Sequence, residues 1–412
     1  MPRSIQPDRW LFSTTVALCV IGAVMVFSAS AVMARETYGN GYTFLLRQLA
    51  FLTVGFGGMF ALMNLDYRKL RQPAVVFTSL AVVLLLLIAV FFLDKNHATH
   101  RWIRYGSVGI QPSELAKLAV ILYLAWFLEM KGKATNWGAA SSAPTQRRAN
   151  EKRSFVPIKN IGTQDDRKGA AARVFQARPT HGGVNDLMGT LLPAMAPVLL
   201  FVGLIVLQPD LGTSVDIFLI SLAMLFVAGL SPTYLLSAAA AAVPAIYLLI
   251  VRVPYRYQRV MSFLNPEADP QGTGFQMLQS LIAVGSGGLV GVGLMGSRQK
   301  LFYLPEAHTD FIYAVLCEEL GFIGGLAVLV LFGIYGWRGV RAALAAPDEF
   351  GRFLGLGITV MVVGQALINL SVVLGMVPTK GIPLPFISYG GSSLVVMLLA
   401  TGVLLNISQH AE

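Results

Sequence analysis

Cysteine is nearly absent from this chain. Cys19 and Cys317 are the only two, both inside apolar runs, which excludes a disulfide framework. Charge is scarce as well: 13% of the 412 residues are Asp, Glu, Lys or Arg while 55% are hydrophobic, which excludes an ordinary soluble domain. The His-Glu-x-x-His, phosphate-loop and Cys/His spacings of zinc hydrolases and transport ATPases are missing. No internal repeat is evident, which counts against an inverted-repeat transporter.

Long apolar runs are what the chain has instead. They recur at 11–32, 44–64, 73–93, 113–128, 190–208, 212–229, 233–251, 309–336, 353–374 and 391–407. A helix needs about 20 residues to cross a bilayer, fewer where neighbours shield it. The runs predict an all-α polytopic membrane protein of about ten transmembrane helices, a single domain over 1–412. The first run follows Arg3 and Arg9 and reaches a cleavage-like Ser28-Ala29-Ser30-Ala31. Its apolar core exceeds the usual ~7–15 residues of a signal peptide and more spans follow, so it is read as an uncleaved span. With the N-terminus in the cytoplasm, nineteen of the 31 Lys and Arg fall on inner segments, and an even span count puts the C-terminus there too. The net charge of +10 is then mostly topology, and nucleic acid is not an expected partner.

Two loops stand out. Residues 129–189 set eleven cations against five acids and read as a disordered cytoplasmic loop, with anionic headgroups or a cytoplasmic partner as the alternative. Residues 252–308 form a large extracytoplasmic loop between spans seven and eight. Within it, 274–282 reads as a short amphipathic helix at the membrane surface. The glycine-rich run at 285–296 suits backbone packed closely against other elements.

The remaining ionisable residues gather at segment ends. Residues 303–319 place Glu306, His308, Asp310, Glu318 and Glu319 in the opening turns of the eighth span, where a charge costs roughly 2.5–3.5 kcal/mol on insertion. Pro305 is suited to start that helix and Thr309 or Asp310 to cap it; a helix running from Glu306 sets Glu306 and Asp310 on one face. Asp310 reads either as a cap or as a site acid, and Glu318 and Glu319 ask for a buried cation or polar backbone. Arg252, Arg256 and Arg259 follow span seven on the outer side, against the positive-inside trend. Their anion is either a phosphate, which Arg binds bidentately, or Glu267, Asp269 and lipid headgroups.

Three further motifs share that outer face. Pro112 opens the fourth span, and Glu114 and Lys117, three apart, pair on one helix face; Arg101 lies nearby. Asp210, in the turn at 208–214, either caps span six or joins a shared cavity. From 378 to 393 prolines and glycines oppose a regular helix, and such backbone survives at membrane depth only when buried in protein or lining a cavity. Lys380 there is a candidate anchor for a phosphate or carboxylate.

In order, RWIRYGSVGIQPSELAK, QPDLGTS, YRYQRVMSFLNPEADPQGTGFQMLQSLIAVGSGG, YLPEAHTDFIYAVLCEELG and PTKGIPLPFISYGGSS resemble the SEDS family (shape, elongation, division and sporulation) over nearly the whole chain. PTKG followed by ISYGGSS looks more like division members than elongation members. The resemblance implies a ten-span glycosyltransferase of the bacterial cell membrane that polymerises peptidoglycan from lipid II at an outward-facing site. It also implies a class B penicillin-binding protein as transpeptidase partner, among other divisome proteins. By motif, Asp310 is the essential acid; Asp210, Lys380 and Lys117 match further positions, with Glu114, Glu306 and His308 beside them. Some members carry an acid where this chain has Phe302, and 129–189 has no family counterpart.

The implied reaction needs a carboxylate base and cations to steady a leaving diphosphate. Asp310 is the candidate base. Arg101, Arg252, Arg256, Arg259, Lys117 and Lys380 form the cation pool, and Ser388 is a further candidate diphosphate-binding group. No cofactor is assigned with certainty, and a divalent ion (Mg or Mn) between carboxylate and diphosphate is an open alternative. Competing readings are a lipid II flippase, an elongation-type polymerase and a non-catalytic divisome scaffold.

Overall fold

The computed structural model describes residues 6–94, 101–105, 108–141, 185–268, 272, 274–301 and 303–411. Each of the ten apolar runs coincides with a helix: α1 (Arg9–Tyr38), α2 (Thr43–Asn64), α3 (Pro73–Leu93), α4 (Pro112–Ser141), α5 (Leu192–Leu207), α6 (Leu211–Val227), α7 (Pro232–Val251), then α10 (Ile312–Leu344), α11 (Glu349–Val373) and α12 (Gly391–Gln409). Two shorter helices, α8 (Pro254–Leu264) and α9 (Phe275–Ser286), lie between α7 and α10. A small antiparallel hairpin, β1 (Ile103–Tyr105) and β2 (Val108–Ile110), pairs Arg104 with Gly109.

By length and composition, seven helices among the described residues are able to cross a membrane: α1, α2, α3, the stretch Leu187–Leu207 that contains α5, α10, α11 and α12; α6 is a shorter apolar helix. Large apolar side chains face outward, with Leu85, Phe92 and Leu236 at 66%, 68% and 70% exposure. A continuous apolar exterior of this kind marks a lipid-facing surface. The most apolar window of α12 is 78% buried and that of α11 67%, against 22% for α2 and α3, so α11 and α12 form the centre and α2 and α3 the rim. The chain is an all-α, multi-pass membrane protein.

Local chemistry sets the helix ends. Asp8 caps α1 by accepting from Trp10 N and Leu11 N, and Gly39 at φ 72° ends it. Proline opens α3, α4, α7 and α8, where its missing N–H costs nothing. Asp210 and Asp348 cap α6 and α11 through Thr213 N and Gly351 N. At one end of the bundle the Asp8 backbone N–H donates to Ser408 Oγ (3.2 Å) and Arg338 pairs with the Asp8 carboxylate, so the start of α1 and the end of α12 lie together. Tyr67 donates to Asp348 Oδ2 (2.9 Å) at that same end.

α10 is broken. Gly321 sits in its interior at φ 68° and ψ −167°, and in a membrane the freed backbone groups must find partners within the protein. The glycine-rich run supplies them. Val292 N and Gly293 N donate to Glu318 O and Glu319 O (both 3.0 Å), while Phe322 N and Ile323 N donate to Gly288 O (2.9 Å) and Leu289 O (3.2 Å). The side chains at the break are closed by the same loop. Glu318 accepts from Arg298 N (2.9 Å) and from the Ser297 hydroxyl; Glu319 pairs with Lys300 Nζ (2.8 Å) and accepts from Ser28 of α1 (2.6 Å). Lys300 is the buried cation for Glu319, while Glu318 is answered by the Ser297 hydroxyl and the Arg298 backbone.

Three expectations change. α10 begins at Ile312, not near Glu306: residues 303–311 are turns, Glu306 has φ 55°, and Phe311 is the N-cap, so Glu306 and Asp310 do not share a helix face. The reason is that His308, Thr309 and Asp310 give their carbonyls to partners outside the helix. α4 continues to Ser141, into the segment read as a disordered loop, and 142–184 of that segment lie outside the described residues. The amphipathic helix is present as α9, but Met277, Ser280 and Ala283 are buried and Ser280 Oγ donates to Val373 O (2.9 Å), so one face is packed on protein.

Gly291 sits at φ +85°, and a Cβ there would meet Glu319 O at 2.1 Å. Gly291→Ala is expected to lower stability by about 1–3 kcal/mol, read as a fall in melting temperature in detergent. Gly203→Ala, which meets nothing within 4 Å in α5, is expected not to lower it.

Candidate functional site

Three irregular segments meet at the end of the bundle opposite the paired termini: the turn before α6, residues 303–311 before α10, and residues 378–390 before α12. The first is built around Asp210. Its carboxylate accepts from Gln111 Nε2 (3.0 Å), Thr213 Oγ1 (2.9 Å) and Thr213 N (3.2 Å). It therefore both caps α6 and ties α4 to that turn. Arg101 donates from Nε to Gln208 O (3.3 Å) and from its terminal nitrogen to Pro209 O, laying its guanidinium across the same turn.

Asp310 stands opposite. Its backbone carbonyl accepts from Asn369 Nδ2 (2.8 Å), and its carboxylate faces Gly381, where an added Cβ would lie 2.8 Å from Oδ2. Asp310 is half-buried. Burial, joined by the negative charges of Glu306 and Asp210, pushes its pKa up to about 7 against the opposing pull of Arg259 and Arg101. Desolvation wins, and the group titrates near neutrality.

The neighbours divide into charges around Asp310 and side chains that hold the backbone. Arg259 donates to Thr379 O (3.2 Å). Lys380 is half-buried, and burial lowers its pKa, with Asp210 opposing. Glu306 is exposed and accepts from Thr309 Oγ1 (2.8 Å). His308 packs its ring on Phe44 and Tyr389, with centroids 4.8 and 5.8 Å away; burial lowers its pKa, opposed by Glu306. Arg252 is exposed just past α7, and the side chain of Arg256 lies outside what is described.

Two proposed roles are corrected here. Ser388 is buried; it donates to Thr309 O (2.6 Å) and accepts from Leu384 N (2.8 Å), so its hydroxyl fixes backbone and is not available to a diphosphate. Lys117 pairs with Glu114 (3.0 Å) as expected, but its ammonium is 2% exposed and also meets Asp216 (3.5 Å) and Gln365 Oε1 (2.5 Å). It is enclosed in the bundle and does not belong to the cation pool. The cations that act on Asp310 are Arg259 and Arg101, and Asp210 acts on Lys380.

Sequence reasoning passed over Gln365, Asn369 and Asp216. A pair of amides four residues apart in an otherwise apolar helix was the available signal. Among the described residues no group of three His, Cys, Asp or Glu side chains gathers as a metal-ligand set.

The fold and this end of it define a polytopic helical membrane protein with the Asp310 carboxyl set between cations and two further carboxylates on irregular backbone. The chain belongs to the FtsW/RodA/SpoVE family of cell cycle proteins, whose model matches residues 9–159 and 170–412. It is 42% identical over 410 residues to a probable peptidoglycan glycosyltransferase FtsW from Geobacter sulfurreducens, covering 98% of this chain and 96% of that one. It is 40% identical over 411 residues to the stage V sporulation protein E of Bacillus subtilis, covering 100% and 99%. Among solved structures, a chain of a peptidoglycan synthase complex that coordinates polymerization and crosslinking superposes with TM-score 0.69 at 29% identity, covering 98% and 97%. The rod shape determining protein RodA of Thermus thermophilus superposes with TM-score 0.62 at 26% identity, covering 99% and 98%.

Removing the Lys117 charge leaves Glu114 and Asp216 buried together without a cation. Lys117→Met is expected to cost roughly 3–5 kcal/mol, seen as a lower melting temperature of the substrate-free protein.

Proposed function

We propose that the chain is a peptidoglycan glycosyltransferase that polymerises lipid II, acting in septal wall synthesis. The observation that carries the reading is Asp310: a carboxyl set to titrate at about 7, beside Arg101 and Arg259. A general base works best with a pKa near the operating pH. In the proposed reaction the acceptor's sugar 4-hydroxyl attacks the donor's anomeric carbon. Its proton passes to Asp310 as the new C–O bond forms, and the bond to the diphosphate breaks with its electron pair leaving on the lipid diphosphate. Inversion turns an α-linked donor into a β-1,4 glycan. Arg101, Arg259 and Lys380 are the cations placed to offset the leaving charge.

A divalent ion remains compatible with this reading. Such an ion would ride on the diphosphate itself and add charge neutralisation there. The site would face away from the cytoplasm, since the Lys and Arg excess favours the end carrying both termini as the inner one. A class B penicillin-binding protein is the proposed partner, supported by the likeness to a chain from a complex that joins polymerization to crosslinking. A flippase needs ionisable groups in a chain across the bilayer. Here the Glu114–Lys117–Asp216 and Glu319–Lys300 groups are buried charge clusters with their own internal pairs, which favours the polymerase.

The test is glycan synthesis from labelled lipid II by the purified protein with its cognate transpeptidase. Wild type is expected to form polymer, and Asp310→Ala to lose activity by about 10²–10⁴-fold. Equal polymer from both would remove Asp310 as the base. The wild-type rate is expected to rise with pH through about 7, because the raised pKa leaves Asp310 protonated below that value.

A further inference from the structure

We propose that Gln365 and Asn369 are positioning residues for Asp310, two rungs of an amide ladder on α11 that clamps the 382–383 backbone against the Asp310 segment. The proposal deepens the glycosyltransferase reading and rests on it for its catalytic meaning. The two amides are four residues apart, on one helix face, and buried at 0% and 1% exposure. Asn369 Nδ2 donates to Asp310 O (2.8 Å) and to Ile382 O (2.7 Å), so one NH₂ group joins both segments. Gln365 Nε2 donates to Pro383 O (2.8 Å), one residue further along.

The orientation of each amide is forced. Lys117 Nζ donates to Gln365 Oε1 (2.5 Å); a flipped Gln365 would set its NH₂ against an ammonium and its oxygen against the Pro383 carbonyl. A flipped Asn369 would set its oxygen against two carbonyls, so the observed orientation persists although its Oδ1 is buried without a partner. Lys117 is itself held by Glu114 and Asp216. The buried triad therefore has a use: it fixes the direction of Gln365, and through it the backbone facing Asp310.

What the ladder holds is the backbone next to Gly381, which lies so close to the Asp310 carboxyl that an added Cβ would be 2.8 Å from Oδ2. Loosening it would rehydrate Asp310 and return its titration toward the ordinary carboxylate range. The charged groups acting on Asp310 are Glu306 on its own segment, Arg259 on α8, Arg101 before β1 and Asp210 before α6. Tyr303 and His308 are the other titratable groups of the Asp310 segment, and Lys380 and Tyr389 those of the 378–390 segment. None of them is altered in the variants below.

The experiment compares wild type, Asn369→Ser, Gln365→Met and Asn406→Ser as full-length protein in nanodiscs. Asn406 is the control: it bridges Tyr67 N and Met63 O at the opposite end of the bundle. The protonated-carboxyl infrared band of Asp310, isolated by difference against Asp310→Asn, is followed against pH without substrate. Polymer synthesis against pH is measured in parallel with the transpeptidase partner. Both ladder variants are expected to lower the Asp310 midpoint by about one pH unit, move the acid limb of the rate profile with it, and slow polymerisation about tenfold or more. Asn406→Ser is expected to lose melting temperature without moving either midpoint. Ladder variants that move the Asp310 midpoint no further than Asn406→Ser would overturn the proposal. Shifted midpoints together with a wild type that makes no polymer would keep the ladder and remove the glycosyltransferase reading.

Discussion

Hydrocarbon offers no hydrogen bonds, so every backbone N–H and C=O near the bilayer must be answered by the protein itself. Helices do this internally. The functional end of this molecule is made of segments that do not. There the carbonyls of three successive residues are taken up from outside the local chain: His308 O by Tyr389 N (3.0 Å), Thr309 O by Ser388 Oγ (2.6 Å) and Asp310 O by Asn369 Nδ2 (2.8 Å). A helix running from Glu306 would have consumed those carbonyls internally and detached the segment from its neighbours. The turn is the price of a fixed Asp310.

The same constraint explains the second irregularity. Breaking α10 at Gly321 would strand four backbone groups, and residues 288–293 replace them almost one for one. The half-helix from Ile312 to the break is consequently pinned at both ends, by the α11 amide and Ser388 at its start and by the glycine run with Lys300 at its finish. Asp310 immediately precedes that pinned element. Its electrostatics then follow from position: two guanidiniums pull its pKa down, and lost hydration with two neighbouring carboxylates pushes harder the other way. A carboxyl on the exposed face of a regular helix would keep its water and titrate near 4.

Much of this was legible in the residues. Each apolar run marks a helix because a long run apolar on all faces needs no periodicity to be read, and seven of those helices are long and apolar enough to cross a membrane. Asp210 as a cap, Glu114–Lys117 as a pair and the glycine run as close-packed backbone follow from local rules that need no tertiary knowledge. What was not legible depends on partners distant in sequence. Lys300, nineteen residues before Glu319, forms the ion pair at the break only because the loop folds back. Ser388 looks like a free hydroxyl in ISYGGSS until Thr309 O and Leu384 N are placed beside it. Lys117 looks like an outer cation until Asp216 and Gln365 surround it.

Why amides hold Asp310, and not ion pairs, is itself a physical choice. A second buried charge next to a carboxyl tuned near neutrality would move its pKa by several units in a low dielectric. A neutral amide donates to carbonyls without that field. An amide's weakness is that it flips, since its two ends are alike in shape. Lys117 removes the ambiguity from one side, while its own charge is balanced by Glu114 and Asp216. The charge needed to give direction is thereby kept one side chain away from the group whose ionisation matters, and only hydrogen-bond geometry is passed on.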